Sequence, residues 1–254
     1  MCLSVAPASF SETIQYVGRK NHPWLGRIEV LGYQNRAQNL HAGPNAMVLH
    51  IPARLTEANF IDVSDYAVLQ RMVSTIWQPG PGGAGYGSYG GFGGSSPVQV
   101  FDHGTYTILV AENPTKIPAA LKQVPRNRRP QLRRELFRFY ARNFPNHSLV
   151  LCCFDGTLQA DPLLMWYPPA DERVYVLPSL DGHTGRAPDL EQYVSVDHWL
   201  VFGGDDFPEH WGRSIEYPGV SDHVRSFLPD RITGTYRGGG VPNGDFAISR
   251  ANLA

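Results

Sequence analysis

The sequence predicts an α+β domain of mostly antiparallel strands with two main amphipathic helices packed on one side. Three observations carry that expectation. Glycine and proline are abundant, 26 and 21 in 254 residues, while only 18% of residues are charged. That composition favours short strands joined by many turns over a helical bundle. Short apolar, β-branched runs bounded by Gly and Pro recur along the chain, and VSVDHWLVFGG alternates, as strands do. Two stretches instead space their apolar residues three and four apart, as helices do. A single domain over 1–254 with a Gly-rich low-complexity insertion at 79–96 accommodates these elements. A chain of this size buries roughly 70–75% of its unfolded surface.

In chain order, Cys2 to Ala6 is a short apolar strand, and TIQYVG is a second that ends at Gly18. RKNHPWLG, punctuated by Pro23 and Gly26, reads as a hairpin loop leading into the strand RIEVLGYQ. QNRAQNLHAGPN is polar and turn-rich. AMVLHIPA follows as a buried strand bounded by Pro44 and Pro52. The first fifty residues thus resemble an antiparallel meander. Thr56 to Trp77 turns helical, with Leu69, Met72, Val73 and Ile76 as its inner stripe and Ser64 as its cap. Pro79 to Ser96 holds nine glycines, with Tyr86, Tyr89 and Phe92 every three residues. It reads either as a surface loop or as an adhesive segment whose aromatic rings dock on a neighbouring subunit.

The chain is organised around Val98 to Gly156, read as strand, basic helix, strand. Leu132, Leu136, Tyr140 and Phe144 recur every four residues, with Phe137 and Ala141 beside them. Pro130 suits the first helical turn. Pro145 stops the helix and drives Phe144 out of the helical region. Beyond it, PLLMWYPP and RVYVLPSL read as a hairpin, VSVDHWLVFGG as a strand and Asp222–Phe227 as a short helix. The tail carries strand-like ends around a Gly hairpin.

Charge is divided unevenly. Between Lys116 and Arg142 lie nine Lys/Arg, including Arg126, Arg128, Arg129, Arg133, Arg134, Arg138 and Arg142, and one acid, Glu135. From totals of 22 and 23, the remainder keeps thirteen Lys/Arg against twenty-two Asp/Glu. A net charge of −1 therefore joins a segment of +8 to a body of −9. Such a layout speaks to association and steering rather than to fold. The partner it suits is another copy of the chain or an acidic protein. Phosphate contacts with nucleic acid are a weaker fit, because the aromatics sit on the core stripe. A solvated helix face is the plain alternative. No apolar run approaches the ~20 residues needed to span a bilayer, so no membrane partner is expected. MCLSVAPASF lacks the basic and long apolar regions of a secretory signal. Three cysteines make a disulfide scaffold improbable, and a reducing cytoplasm is the expected setting.

Candidate chemistry begins at Cys2. With Met1 removed, its α-amino group would be the base for its own thiol, and a strand starting at the nucleophile suits that geometry. GRKN, about seventeen residues on, resembles the GRN stretch of choloylglycine-hydrolase-type amidases. That resemblance implies substrate binding by Arg19, although the next acid of the pattern is replaced by Asn21-His22. His103 is the further supporting residue. Asp102-His103, Asp197-His198 and Asp222-His223, with Asp181 two before His183, offer carboxylate–imidazole pairs. Neighbours on a strand face opposite sides, so two pairs would have to converge to hold an ion. No HxH, HExxH or CxxC spacing exists, and no metal site is expected. Cys152 or Cys153 with His103 and Asp155 would make a nucleophile set only if LVLCCF were exposed. The glycine-rich runs lack the strand–turn–helix setting of a phosphate loop, so no cofactor is expected. Two readings remain. One is a binding or structural protein that self-associates through the basic helix and the Gly/aromatic loop. The other is a cysteine-dependent amidohydrolase.

Overall fold

The computed structural model describes residues 3–77, 97–155, 157–159 and 161–253. The chain opens with β1 (Leu3–Ser4), β2 (Ala8–His22), β3 (Gly26–Asn39), β4 (Asn45–Ile51) and β5 (Phe60–Ile61). Helix α1 (Val68–Trp77) precedes β6 (Gln99–His103) and β7 (Tyr106–Ala111). Next come α2 (Ile117–Ala120), α3 (Arg134–Asn143), β8 (Ser148–Phe154), β9 (Thr157–Gln159), β10 (Leu163–Tyr167) and β11 (Val174–Leu177). The last elements are β12 (Tyr193–Gly204), β13 (Arg213–Ser214), α4 (Asp222–Arg225), β14 (Arg231–Pro242) and β15 (Phe246–Ser249).

These strands form a five-stranded sheet, β1-β4-β8-β7-β6, and an eight-stranded sheet whose main path is β13-β14-β12-β2-β3-β10-β5, with β9 beside β3. Strand β11 pairs β15 separately. Among the described residues the named strands pair antiparallel except β12 and β2, which run parallel with His198 opposite Thr13, and an isolated parallel bridge joins Leu3 to Gly182. The inner faces of the two sheets meet in one core. Met47, Ile108, Val150 and Cys152 come from the smaller sheet, and Val17, Leu31, Met165 and Phe202 from the larger. The mixed α+β class expected from composition is what this architecture is.

The helices do not share a side. Leu136, Phe137 and Tyr140 of α3 pack with Leu109, Leu151 and Cys153 on the outer face of the five-stranded sheet. Leu69 and Met72 of α1 pack with Tyr16, Val30 and Val201 on the outer face of the eight-stranded sheet. Each sheet is buried on both faces, which is why LVLCCF and AMVLHI read as continuous apolar runs rather than alternating ones. Cys152 and Cys153 accordingly point into different cores.

Several local expectations are corrected. Strand β2 runs through the supposed loop to His22, and β3 continues to Asn39 through the polar QNRAQN. Within β2 and β3, the charges of Arg19 and Glu29 are tolerated because they pair with each other. Helix α1 begins at Val68, and Ser64 is spent on Asp62, to which its hydroxyl donates at 2.7 Å. β10 pairs with β3 and β5 rather than with β11. The run Arg237–Gly240 is ladder, not turn, paired with Val196–His198 and Ser195 of β12. The basic segment is not one helix but short turns followed by α3, since Pro118, Pro125 and Pro130 deny continuous helical bonding. Phe144 does leave the helical region, at φ −131° and ψ 57°, before Pro145.

Candidate functional site

The segment from Pro114 to Phe144 crosses the outer face of the five-stranded sheet. Pro114, Ile117, Ala120, Leu121, Val124, Leu136, Phe137 and Tyr140 are buried beneath it. Each fully buried large side chain contributes roughly 1.5–3 kcal/mol, so the layer is held by its apolar underside. Its cations are turned outward. Lys116, Lys122, Arg126, Arg133, Arg134, Arg138 and Arg142 are exposed. None of these seven makes an ion pair with another described residue.

Two cations are committed inward. Arg128 Nη1 lies 3.8 Å from Asp102 Oδ1 and donates to Thr107 Oγ1 at 3.3 Å. Arg129 Nη2 donates to the carbonyls of Lys122 at 2.6 Å and Val124 at 2.7 Å. Glu135, in the first turn of α3, is the only acid among these basic residues. The result is a face of guanidinium groups with almost no internal neutralisation.

Arg19 and His103 of the hydrolase reading lie in different sheets. Arg19 is 1% exposed. Its Nε donates to Glu29 Oε2 at 2.7 Å, and its Nη2 to the carbonyls of Asp171 and Val174 at 2.8 and 2.5 Å. Its Nη1 donates to the Glu172 carbonyl, and the ring of Tyr175 lies 4.2 Å from its carbon centre. Every edge of the guanidinium is taken, so Arg19 ties β2 to the loop before β11 and has no face for a substrate. His103 closes the β6–β7 hairpin against Phe60, with ring centroids 5.6 Å apart. Burial lowers its pKa, while Asp62 and Asp161 pull it upward. Strand β7 separates β6 from β8, so His103 is not beside Cys152. Burial pushes the Cys153 thiol up to about 12, against a smaller downward pull from Arg128, and raises Cys152 as well. Both are 0% exposed, so neither is placed to act as a nucleophile. Cys2, Tyr86, Tyr89 and Phe92 lie outside the described residues.

Two of the carboxylate–imidazole pairs do converge. Asp181, His183, Asp197 and His198 line one cavity of about 150 Å³ with Ser9, Phe10 and Thr13. A bulge in β2 between Ser11 and Ile14 makes this possible. There Glu12 takes φ 54°, and its N–H donates to Asp197 Oδ2 at 3.0 Å. His183 Nε2 is 3.2 Å from Asp181 Oδ1. No group of three or more His, Cys, Asp or Glu suited to a metal ion exists among the described residues. The dipeptides were visible in the sequence; the bulge and the parallel β2–β12 pairing that bring them together were not. The sequence also concealed His50, buried on β4, whose Nε2 meets both Asp245 oxygens at 3.0 Å.

No family model matches the sequence, and no curated protein matches it. The fold is nevertheless similar to solved structures. One is a mutated baculovirus P35 after caspase cleavage, at 10% identity, covering 94% of this chain and 99% of that one with a TM-score of 0.51. A second is baculovirus P35, at 11% identity and 98% and 99% coverage, with a TM-score of 0.49. The likeness is one of fold. Among the described residues, no helix is long and apolar enough to cross a membrane.

Proposed function

We propose that this chain is a protease-binding protein that offers residues 78–96 as bait. The observation that carries the reading is its likeness, over almost the whole of both chains, to a P35 solved after caspase cleavage. The anchoring of the segment supports it. On one side α1 is packed on the outer face of the eight-stranded sheet. On the other, β6 is the edge strand of the five-stranded sheet. Two separate sheets therefore hold its ends. Its composition supports the reading too: nine glycines, small polar residues and no charge. Small, uncharged residues in sequence are common at sites of proteolytic nicking. With no Asp, Glu, Lys or Arg in QPGPGGAGYGSYGGFGGSS, side-chain recognition falls to Tyr86, Tyr89 and Phe92. Main-chain pairing to an enzyme's strand would supply the remainder.

The test is incubation of the full chain with a caspase, a papain-like protease and a chymotrypsin-like protease. Fragments are mapped by mass spectrometry, and the mixture is run by size exclusion. The expected result is a first cut within 78–96 by one of them, with that enzyme eluting together with the cut chain. First cuts elsewhere with all three, or fragments that release the enzyme, reject the proposal.

A further inference from the structure

We infer that the cationic layer over the five-stranded sheet docks on the outer face of the eight-stranded sheet of a second copy of this chain. The donor face is defined by α3. Arg134, Arg138 and Arg142 recur every four residues, a stripe about 12 Å long with steps of about 6 Å. Arg126, Arg133, Lys116 and Lys122 extend it, all exposed and without an ion pair among the described residues. Five of these seven are arginine, whose planar group takes carboxylates in pairs and stacks on aromatic rings.

The opposite outer face presents both kinds of partner. Asp65, Glu216 and Asp222 are exposed beside the buried Ile61, Val63, Tyr66, Ile215 and Tyr217 of that face's apolar cluster. None of these three makes an ion pair among the described residues. The same face carries an open aromatic group. Trp77, 70% exposed, meets Trp199 edge-on at 5.7 Å, and Trp199 meets Tyr236, 52% exposed, at 5.6 Å. Aromatic anchors ringed by charge are what interface centres are made of. Arg213 and His223 are exposed there as well, and the half-buried Arg71, whose Nε donates to the Glu216 carbonyl, and Arg225, over the Tyr217 ring, lie beside them, so the complementarity is partial and salt will weaken it.

A nucleic acid fits the donor face less well. Phe137 and Tyr140 are both 1% exposed, so the layer has charge for phosphates but few rings on which bases could stack. The two faces lie on opposite sides of the sandwich, so the contact is head-to-tail. It propagates into open chains unless the rotation closes a ring.

The test is sedimentation velocity of the full chain, without protease, from 25 mM to 1 M NaCl, over which screening shortens from tens of Å to about 3 Å. The expected result is particles larger than one chain at low salt that revert to monomer at high salt. R134E/R138E and W77S, folded by circular dichroism, should each be monomeric at all salts. R134E/R138E added to wild type should shorten its particles, because it still offers the acidic face. A wild type that is monomeric at low salt overturns the inference, including one that is monomeric yet binds an oligonucleotide. Particles unchanged in both variants overturn it equally. Because no protease is present, this result stands apart from the bait reading.

Discussion

Replacing Arg19 by methionine should destabilise the fold sharply and in a pH-dependent way. The guanidinium is buried between β2 and the loop before β11, bonded to Glu29 and to the carbonyls of Asp171, Glu172 and Val174. Methionine fills much of the space and supplies no donor. Removing one partner of a buried ion pair costs about 3–5 kcal/mol, mostly because the other charge is left uncompensated. For a chain of this size each kcal/mol moves Tm by about 2–4 °C, so the midpoint should fall by roughly 6–20 °C. The pH dependence follows from Glu29. Burial raises its carboxyl pKa, and Arg19 is the main influence holding it down. Without Arg19 the folded pKa rises further above the unfolded value of about 4.3. The protonated acid then favours the fold. That contribution is complete below the unfolded pKa and is lost as pH rises through the folded one. The deficit against wild type should therefore be largest at neutral pH and shrink towards pH 5. The double variant R19M/E29L should recover much of the loss, since an apolar pair carries no desolvation cost. Differential scanning calorimetry at pH 5 and 7 reads all three. A single variant within about 2 °C of wild type, or an equal deficit at both pH values, refutes the reasoning.

Other outcomes follow from the same coordinates. At pH 8 an aromatic disulfide reagent should find Cys152 and Cys153 inert until denaturant is added, because burial raises both thiols. Any rapidly reacting thiol in the native protein should vanish in C2S. Gly185 takes φ +68°, and a Cβ there would meet the Val5 carbonyl oxygen at 2.2 Å. G185A should thus lose at least about 1–2 kcal/mol in urea unfolding, with an unchanged slope. Burial lowers the pKa of His103 and His147. Their neutral rings favour the fold, so this contribution is present above about pH 6.5 and lost as pH falls through their folded values. Substituting both by asparagine should flatten the stability curve between pH 7 and 5.

What the sequence disclosed was mostly local. The stop at Phe144–Pro145, the stripe of α1 and the opposite orientation of Cys152 and Cys153 all follow from neighbouring residues. The charge division was also legible, because counting needs no geometry, and Arg134, Arg138 and Arg142 of α3 are exposed. Long-range partners were hidden. Arg19 reads as part of a hairpin loop in the sequence, and only its pairing with Glu29 across β2 and β3 makes it core. Strand β12 lies parallel to β2 after a separation of more than 180 residues, and no local pattern encodes such a neighbour. Gly238–Gly240 carried a turn signature, yet β12 supplies the partners that make them strand. The bulge at Glu12 has no sequence mark, so the meeting of Asp181 and His183 with Asp197 and His198 was out of reach. The helices were assigned to one side because nothing in the sequence says which sheet an amphipathic stripe will cover.

The most direct measurement is residual protease activity on a peptide reporter, titrated with the intact chain and with Y86G/Y89G/F92G. Loss of activity that reaches its end point near one chain per enzyme, and weakens in the triple variant, is the predicted result. Undiminished turnover with the chain in excess, for every protease that cuts it, would contradict the account.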